Sequence, residues 1–188
     1  MNLGGGSIKT LETAEKPIVK KELHFRKPNK EDGAAVWELI KQTSNLDLNS
    51  SYSYIMWCEI FSETSIVAIE ERGYIRKPVA FVSGFIHPDN PDTLFIWQVA
   101  VHASQRGQGL ATRMLNQLLE RKSCEEIQYI ETTVTTSNTA SNNLFIGLAR
   151  KHQANYKISK YFESEIFPEA ENETHEEEWL YRIGPVNK

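Results

Sequence analysis

Hydrophobic positions along this chain change period repeatedly, and each change marks an element. Short alternating or β-branched runs at Leu23–Arg26, Ser65–Glu70, Pro78–Ile86, Leu94–Val101, Ile127–Val134, Tyr156–Tyr161 and Glu178–Ile183 predict strands. Helical spacing appears in four places. Val36, Trp37 and Ile40 share one face of a helix that Asn29 caps, starting at Lys30 and ending near Thr43. A helix through Ile55, Met56, Trp57, Ile60 and Phe61 follows a polar loop from Ser44 to Tyr54. Leu110, Ala111, Met114, Leu115, Leu118 and Leu119 form the apolar face of a third helix, ending near Lys122. Ala140, Leu144, Phe145, Leu148 and Ala149 do so for a fourth, from about Ser137 to Lys151. Ser65–Glu70 and Pro78–Ile86 read as a hairpin, and His87–Asp92 as a turn-rich break before the central strand.

The first 22 residues are Gly-rich, then Lys/Glu-rich and aperiodic, and read as a disordered N-terminal arm. Residues 23–188 then form one domain. At 188 residues the chain suffices for one α/β domain with a sizeable core. A net charge of −4 with dispersed Lys and Arg argues against a general nucleic-acid binder. No apolar run has membrane-spanning length and no secretory leader is visible, so a cytoplasmic protein is expected. Cys58 and Cys124 fit no metal spacing and read as reduced, packed thiols. The loop Glu169–Glu177 is strongly acidic.

The most informative stretch joins the central strand to the third helix, Ile96 to Ala111. Two glycines, Gly107 and Gly109, sit in a turn with Arg106 and Gln108, just before Leu110 and Ala111. Orphan N–H groups and the dipole at a helix N-terminus favour an anion there, and glycine lets a phosphate approach closely. A P-loop is excluded because no Gly-Lys-Ser/Thr follows. The dinucleotide fingerprint is excluded because Thr112 stands where its third glycine would be.

Arg-x-x-Gly-x-Ala, here Arg106, Gly109 and Ala111, resembles the pyrophosphate loop of the GNAT acyl-CoA-dependent acetyltransferases. The element order β-α-α-β-β-β-α-β-α-β-β resembles their fold as well. Other segments resemble, more narrowly, the diaminobutyrate acetyltransferases of ectoine biosynthesis. These are Asp47–Ser50 with Tyr52 and Tyr54, Thr64–Ala68, Pro91–Val101, Glu131–Thr135 with Ser137 and Asn138, Leu144–Phe145, Leu148–Arg150 and Leu180–Pro185. The resemblance covers about residues 23–185. It implies an α/β GNAT fold: a mixed, mostly antiparallel sheet splayed between its fourth and fifth strands, with about four helices. It implies acetyl transfer from acetyl-CoA to the 4-amino group of L-2,4-diaminobutyrate by direct attack in a ternary complex, without a metal. It also implies a homodimer. Two other readings stay open at this stage: a GNAT enzyme for another diamine or polyamine, and an acyl-CoA sensor without turnover.

Site residues follow from the same resemblance. Backbone groups of Val99 and Val101 would pair with the pantetheine arm, and amides from Gly107 through Gln108, Gly109, Leu110 and Ala111 would hold the pyrophosphate beside Arg106. The Val99 N–H is the candidate oxyanion donor. Asn138 is a cofactor contact or a plain helix cap. An alkylammonium titrates near pH 10.4 and must lose a proton before it attacks. Glu131, on the strand beside the cofactor strand, is the candidate base or water relay; otherwise it is a solvated edge charge. By the family pattern, Asp47 would pair with an ammonium, Tyr52 would donate to the substrate carboxylate, and Trp97 would shape the pocket or fill the core. His175 and Glu178 border the acceptor pocket or belong to a solvated charge run. Phe145 occupies the place where many GNAT enzymes carry the tyrosine that protonates the thiolate. Tyr52, Tyr54, water or unassisted departure therefore replaces it.

Overall fold

The computed structural model describes Met1 and residues 21–43, 46–168 and 175–187. The expectation for residues 2–20 lies outside the described residues, as does that for the acidic stretch 169–174. Seven strands form one sheet: β1 (Lys21–Arg26), β2 (Ile66–Arg72), β3 (Ile75–His87), β4 (Asn90–Val101), β5 (Tyr129–Thr135), β6 (Tyr156–Phe162) and β7 (Glu178–Ile183). Their spatial order is β1-β2-β3-β4-β5-β7-β6, so the last strand inserts between β5 and β6. The helices are α1 (Gly33–Lys41), α2 (Ser51–Glu59), α3 (Leu110–Leu119) and α4 (Thr139–Lys151). None among the described residues is long and apolar enough to cross a membrane.

The two faces of the sheet carry separate cores. Leu110, Met114, Leu115 and Leu118 of α3 and Phe145, Leu148 and Ala149 of α4 pack on one face. Val36, Leu39 and Ile40 of α1 and Tyr54, Trp57 and Cys58 of α2 pack on the other. Strand β2 is buried on both sides, Ile66 and Ala68 toward the first core and Val67 and Ile69 toward the second. That is why it reads as a continuous apolar run. Burial, with Asp32 nearby, pushes the Cys58 thiol up to about 12, as expected of a packed thiol.

The structure corrects several boundaries. The first strand begins at Lys21, which pairs with Arg72, so the last two residues of the expected arm belong to the sheet. The helix expected from Lys30 opens as a 3₁₀ turn over Lys30–Asp32 and becomes α-helical at Gly33. Asp32 explains the start: it accepts from the Asn29 N–H at 2.9 Å and from both terminal nitrogens of Arg26 at 2.7 Å. The polar loop ends at Ser50, whose hydroxyl caps α2. Tyr52 and Tyr54 are therefore helical residues on opposite sides, Tyr54 in the core and Tyr52 71% exposed. Strands β3 and β4 extend into the expected break and leave only Pro88 and Asp89 between them.

Strand β4 carries an irregularity that positions the site. Ser83 pairs with Gln98 but Gly84 pairs with Ile96, so Trp97 is an extra, bulged residue. Before the bulge Leu94 and Ile96 face the α3–α4 core, and after it Val99 and Val101 do. Gly84 permits the close approach: a Cβ there would lie 2.8 Å from the Phe95 carbonyl oxygen and 3.1 Å from that of Thr64. Gly84→Ala is expected to destabilise the fold by about 1–3 kcal/mol, because the strands must part to admit the methyl. A lowered melting temperature by circular dichroism checks it.

Candidate functional site

The parallel pair β4–β5 is short. Thr93, Leu94 and Phe95 pair with Tyr129, Ile130 and Glu131, and beyond them no residues of the two strands are paired. Past the bulge, the Gln98 N–H donates to the Ser83 hydroxyl on β3 at 3.2 Å, and the His102 N–H to the Val79 carbonyl at 2.8 Å. Backbone groups alternate sides along a strand, so those of Val99 and Val101 turn away from β3 and into the gap. Arg106 Nε donates to the Val101 carbonyl from that side at 3.1 Å.

A cavity of about 480 Å³ fills the gap. Val99, Val101, Arg106, Gly107, Gly109, Leu110 and Ala111 line it from one strand and turn, and Asn138, Ser141 and Leu144 line it from α4. Gly107 and Gly109 hold φ of +73° and +68°, the left-handed region that favours glycine. That path delivers the free N–H groups of α3's first turn to the cavity. The turn is braced from below: buried Gln105 donates to Glu70 at 2.6 Å, and Glu70 pairs with Lys21 at 2.7 Å. A strand-like groove leading to a helix N-terminus and an arginine fits a long, amide-bearing chain ending in phosphates.

Next to this cavity lies a second set of polar groups on the α1–α2 face of the sheet. Trp97 stacks on Trp57 at 4.8 Å with a 17° tilt. Glu131 is buried and ion-paired to Arg182, its cross-strand neighbour on β7. Thr135 pairs with Glu178 farther along the same two strands, so Glu131, Arg182 and Glu178 share one face. Above them His175 Nε2 lies 3.8 Å from Asp47 Oδ2, and its ring stacks on Phe167 at 3.6 Å.

Comparison with known proteins places the chain in a family. The model for the acetyltransferase (GNAT) family matches residues 34–148. The L-2,4-diaminobutyric acid acetyltransferase of Oceanobacillus iheyensis is 58% identical over 167 residues, covering 89% of this chain and 90% of that one. The chain belongs to the L-2,4-diaminobutyric acid acetyltransferases, within the GNAT family. The Marinococcus halophilus member is 52% identical over 164 residues, 87% of this chain and 91% of that one. Among solved structures, diaminobutyrate acetyltransferase EctA from Paenibacillus lautus, in complex with its substrate L-2,4-diaminobutyric acid and coenzyme A, matches with TM-score 0.82 and 42% identity. That alignment covers 90% of this chain and 98% of that one.

Within this acetyltransferase the expected residues fall into two groups. Val99, Val101, Arg106, Gly107, Gly109, Leu110, Ala111 and Asn138 converge on the cavity. Gln108 is turned aside, its side-chain amide donating to the Ser104 carbonyl at 3.3 Å, so its side chain braces the loop. Asn138 combines both readings: its Oδ1 caps α4 by accepting from the Ser141 N–H at 3.0 Å, and the residue lines the cavity. Phe145 is core, packed in the α3–α4 layer. Asp47 and His175 are brought together, and Glu131 is not the solvated edge charge that its strand position allowed. Tyr54, one replacement considered for the missing acid, is fully buried.

Sequence reasoning missed Arg182 and Glu176. Glu176 accepts from the Thr136 hydroxyl at 2.9 Å, the Ser137 N–H at 3.1 Å and the Ser137 hydroxyl at 2.6 Å. It fastens the segment carrying His175 to the β5–α4 turn beside Asn138. The Ser137 and Thr136 donors hold its carboxyl below the usual glutamate range. Because the folded value is depressed, the clamp is fully present above the ordinary glutamate pKa and is lost as pH falls through the lower, folded one. A carboxyl titration by NMR is expected to place Glu176 below the usual glutamate range. For the cofactor half, Arg106→Ala is expected to weaken coenzyme A binding about tenfold by calorimetry, since a charge-assisted phosphate contact is lost.

Proposed function

We infer that this enzyme transfers the acetyl group of acetyl-CoA to the 4-amino group of L-2,4-diaminobutyrate, releasing coenzyme A and 4-N-acetyl-L-2,4-diaminobutyrate. The observation that carries the reading is the adjacency of the splayed β4–β5 cavity to a carboxylate- and aromatic-lined face, in a chain 42% identical to a structure holding both compounds. In this reading the protein supplies a step of ectoine formation under osmotic stress, as a cytoplasmic homodimer.

The groups of the chain divide the work. The backbone of Val99 and Val101 holds the pantetheine arm as a neighbouring strand would, and the α3 N-terminus with Arg106 holds the pyrophosphate. Asp47 and Glu178 offer carboxylates to the substrate's ammonium groups. Tyr52, His175 and Arg182 are the donors available to its carboxylate. Trp97 provides an aromatic wall. The 4-ammonium gives a proton to water relayed to Glu131, and the freed nitrogen lone pair attacks the thioester carbon. The Val99 N–H holds the oxyanion that forms. The C–S bond then breaks, the sulfur leaves with its electron pair, and the nitrogen sheds its second proton to solvent.

Arg182 shapes what Glu131 can do. The guanidinium pairs with the buried carboxylate and fixes its orientation. Among the described residues lining the cofactor cavity, Arg106 is the one ionisable side chain, and Phe145 offers no proton. In this reading water protonates the departing thiolate, or it leaves unassisted.

Acetyl transfer to L-2,4-diaminobutyrate, with the acetylated nitrogen assigned by NMR, tests the reading. Product on the 4-nitrogen is expected, faster than with ornithine, lysine or putrescine. Coenzyme A binding without product would overturn it. Glu131→Gln is expected to reduce kcat by roughly 10² to 10⁴-fold and to alter the pH–rate profile. An unchanged profile would take Glu131 out of proton transfer.

A further inference from the structure

The bulged strand β4 also reaches toward the acceptor side, through a buried ring of hydrogen bonds. Gln98 follows the bulged Trp97 and precedes Val99, so its side chain leaves the strand on the face opposite Val99. Gln98 Nε2 donates to the Asp47 carbonyl at 2.9 Å. The Tyr54 hydroxyl donates to Gln98 Oε1 at 3.2 Å and accepts from the Asn49 N–H at 3.3 Å. Tyr54 is fully buried and Gln98 is 8% exposed. The ring thus closes from Asp47 through Gln98 and Tyr54 to Asn49, two residues along. On its outer side, Trp37 Nε1 donates to the Asn49 carbonyl at 3.2 Å.

The ring satisfies two backbone groups of the loop, the Asp47 carbonyl and the Asn49 N–H, through side chains that α2 and β4 hold in place. The ring fixes the backbone of a loop whose one carboxylate, Asp47, is 89% exposed and cannot be held by packing of its own. It also ties that loop to the residue next to Val99, whose backbone faces the thioester.

We propose that Tyr54 and Gln98 are positioning residues that set the distance between the acceptor's 2-ammonium, held at Asp47, and the acetyl carbon at Val99, and through it the preference for a four-carbon diamino acid. This rests on the acceptor reading of Asp47 given above. A diamino acid one methylene longer would push its terminal amine past the carbonyl, because the loop cannot retreat while the ring is closed. Opening the ring lets it retreat.

Tyr54→Phe keeps the buried ring and removes only the hydroxyl. KM for L-2,4-diaminobutyrate is expected to rise about tenfold, the size of one lost buried hydrogen bond, with KM for acetyl-CoA unchanged within roughly twofold. The preference for diaminobutyrate over ornithine should narrow. Gln98→Met, close in volume, should do the same, and the double variant should cost no more than the worse single one. A KM for diaminobutyrate that stays put, or that rises in step with KM for acetyl-CoA, would overturn the proposal. Hydrogen exchange at the Asn49 amide reads the ring without any acceptor. Exchange that is slow in the parent and faster in Tyr54→Phe is expected, and equal rates would overturn the ring itself. A parent enzyme that leaves diaminobutyrate unacetylated, yet shows the exchange difference, would sink the substrate assignment and the selectivity claim and leave the loop anchorage standing.

Discussion

Two parallel strands that pair for three residues and then part create a debt of backbone hydrogen bonds, and the rest of the molecule is arranged around it. Peptide groups inside a protein must find partners. At Val99 and Val101 the neighbouring strand has withdrawn, so a ligand with its own amides is the natural partner. The bulge at Trp97 makes the exposed register possible, because it turns both valines to the α3–α4 side after Leu94 and Ile96 have already faced that way. The glycine turn then places a helix N-terminus at the end of the same groove. In the proposed reading, cofactor recognition is a property of main-chain direction more than of side-chain identity.

The proposed acceptor side follows different physics. Buried Glu131 is compensated by Arg182, and the exposed Glu176 is held by a trio of hydroxyl and amide donors. Buried carboxylates persist only when a cation or several donors face them. Such pairing holds the site's shape before substrate arrives. In the proposed reading, an incoming diamino acid meets Glu131 already paired with Arg182.

Much of this was legible in the amino-acid sequence, for local reasons. The seven strands and four helices follow from apolar periodicity, and the phosphate turn from Arg106, Gly107 and Gly109 in front of Leu110. The parts that escaped depend on pairing between distant segments. Trp97 lies in an unbroken apolar run, and nothing in that run marks it as the extra residue. Arg182 stands 51 positions from Glu131, and the two meet only because β7 slips between β5 and β6. Tyr54 looked like a loop tyrosine because Ser50, which starts the helix, sits amid a string of polar residues that cap equally well. Glu176 sat in an acidic run where no single carboxylate stood out.

The wall of the cofactor cavity has a consequence for how the enzyme responds to its surroundings. Arg106 is the one ionisable side chain among the described lining residues, and a guanidinium keeps its charge across the whole physiological range. The charge that the chain itself turns toward that cavity is therefore the same across that range.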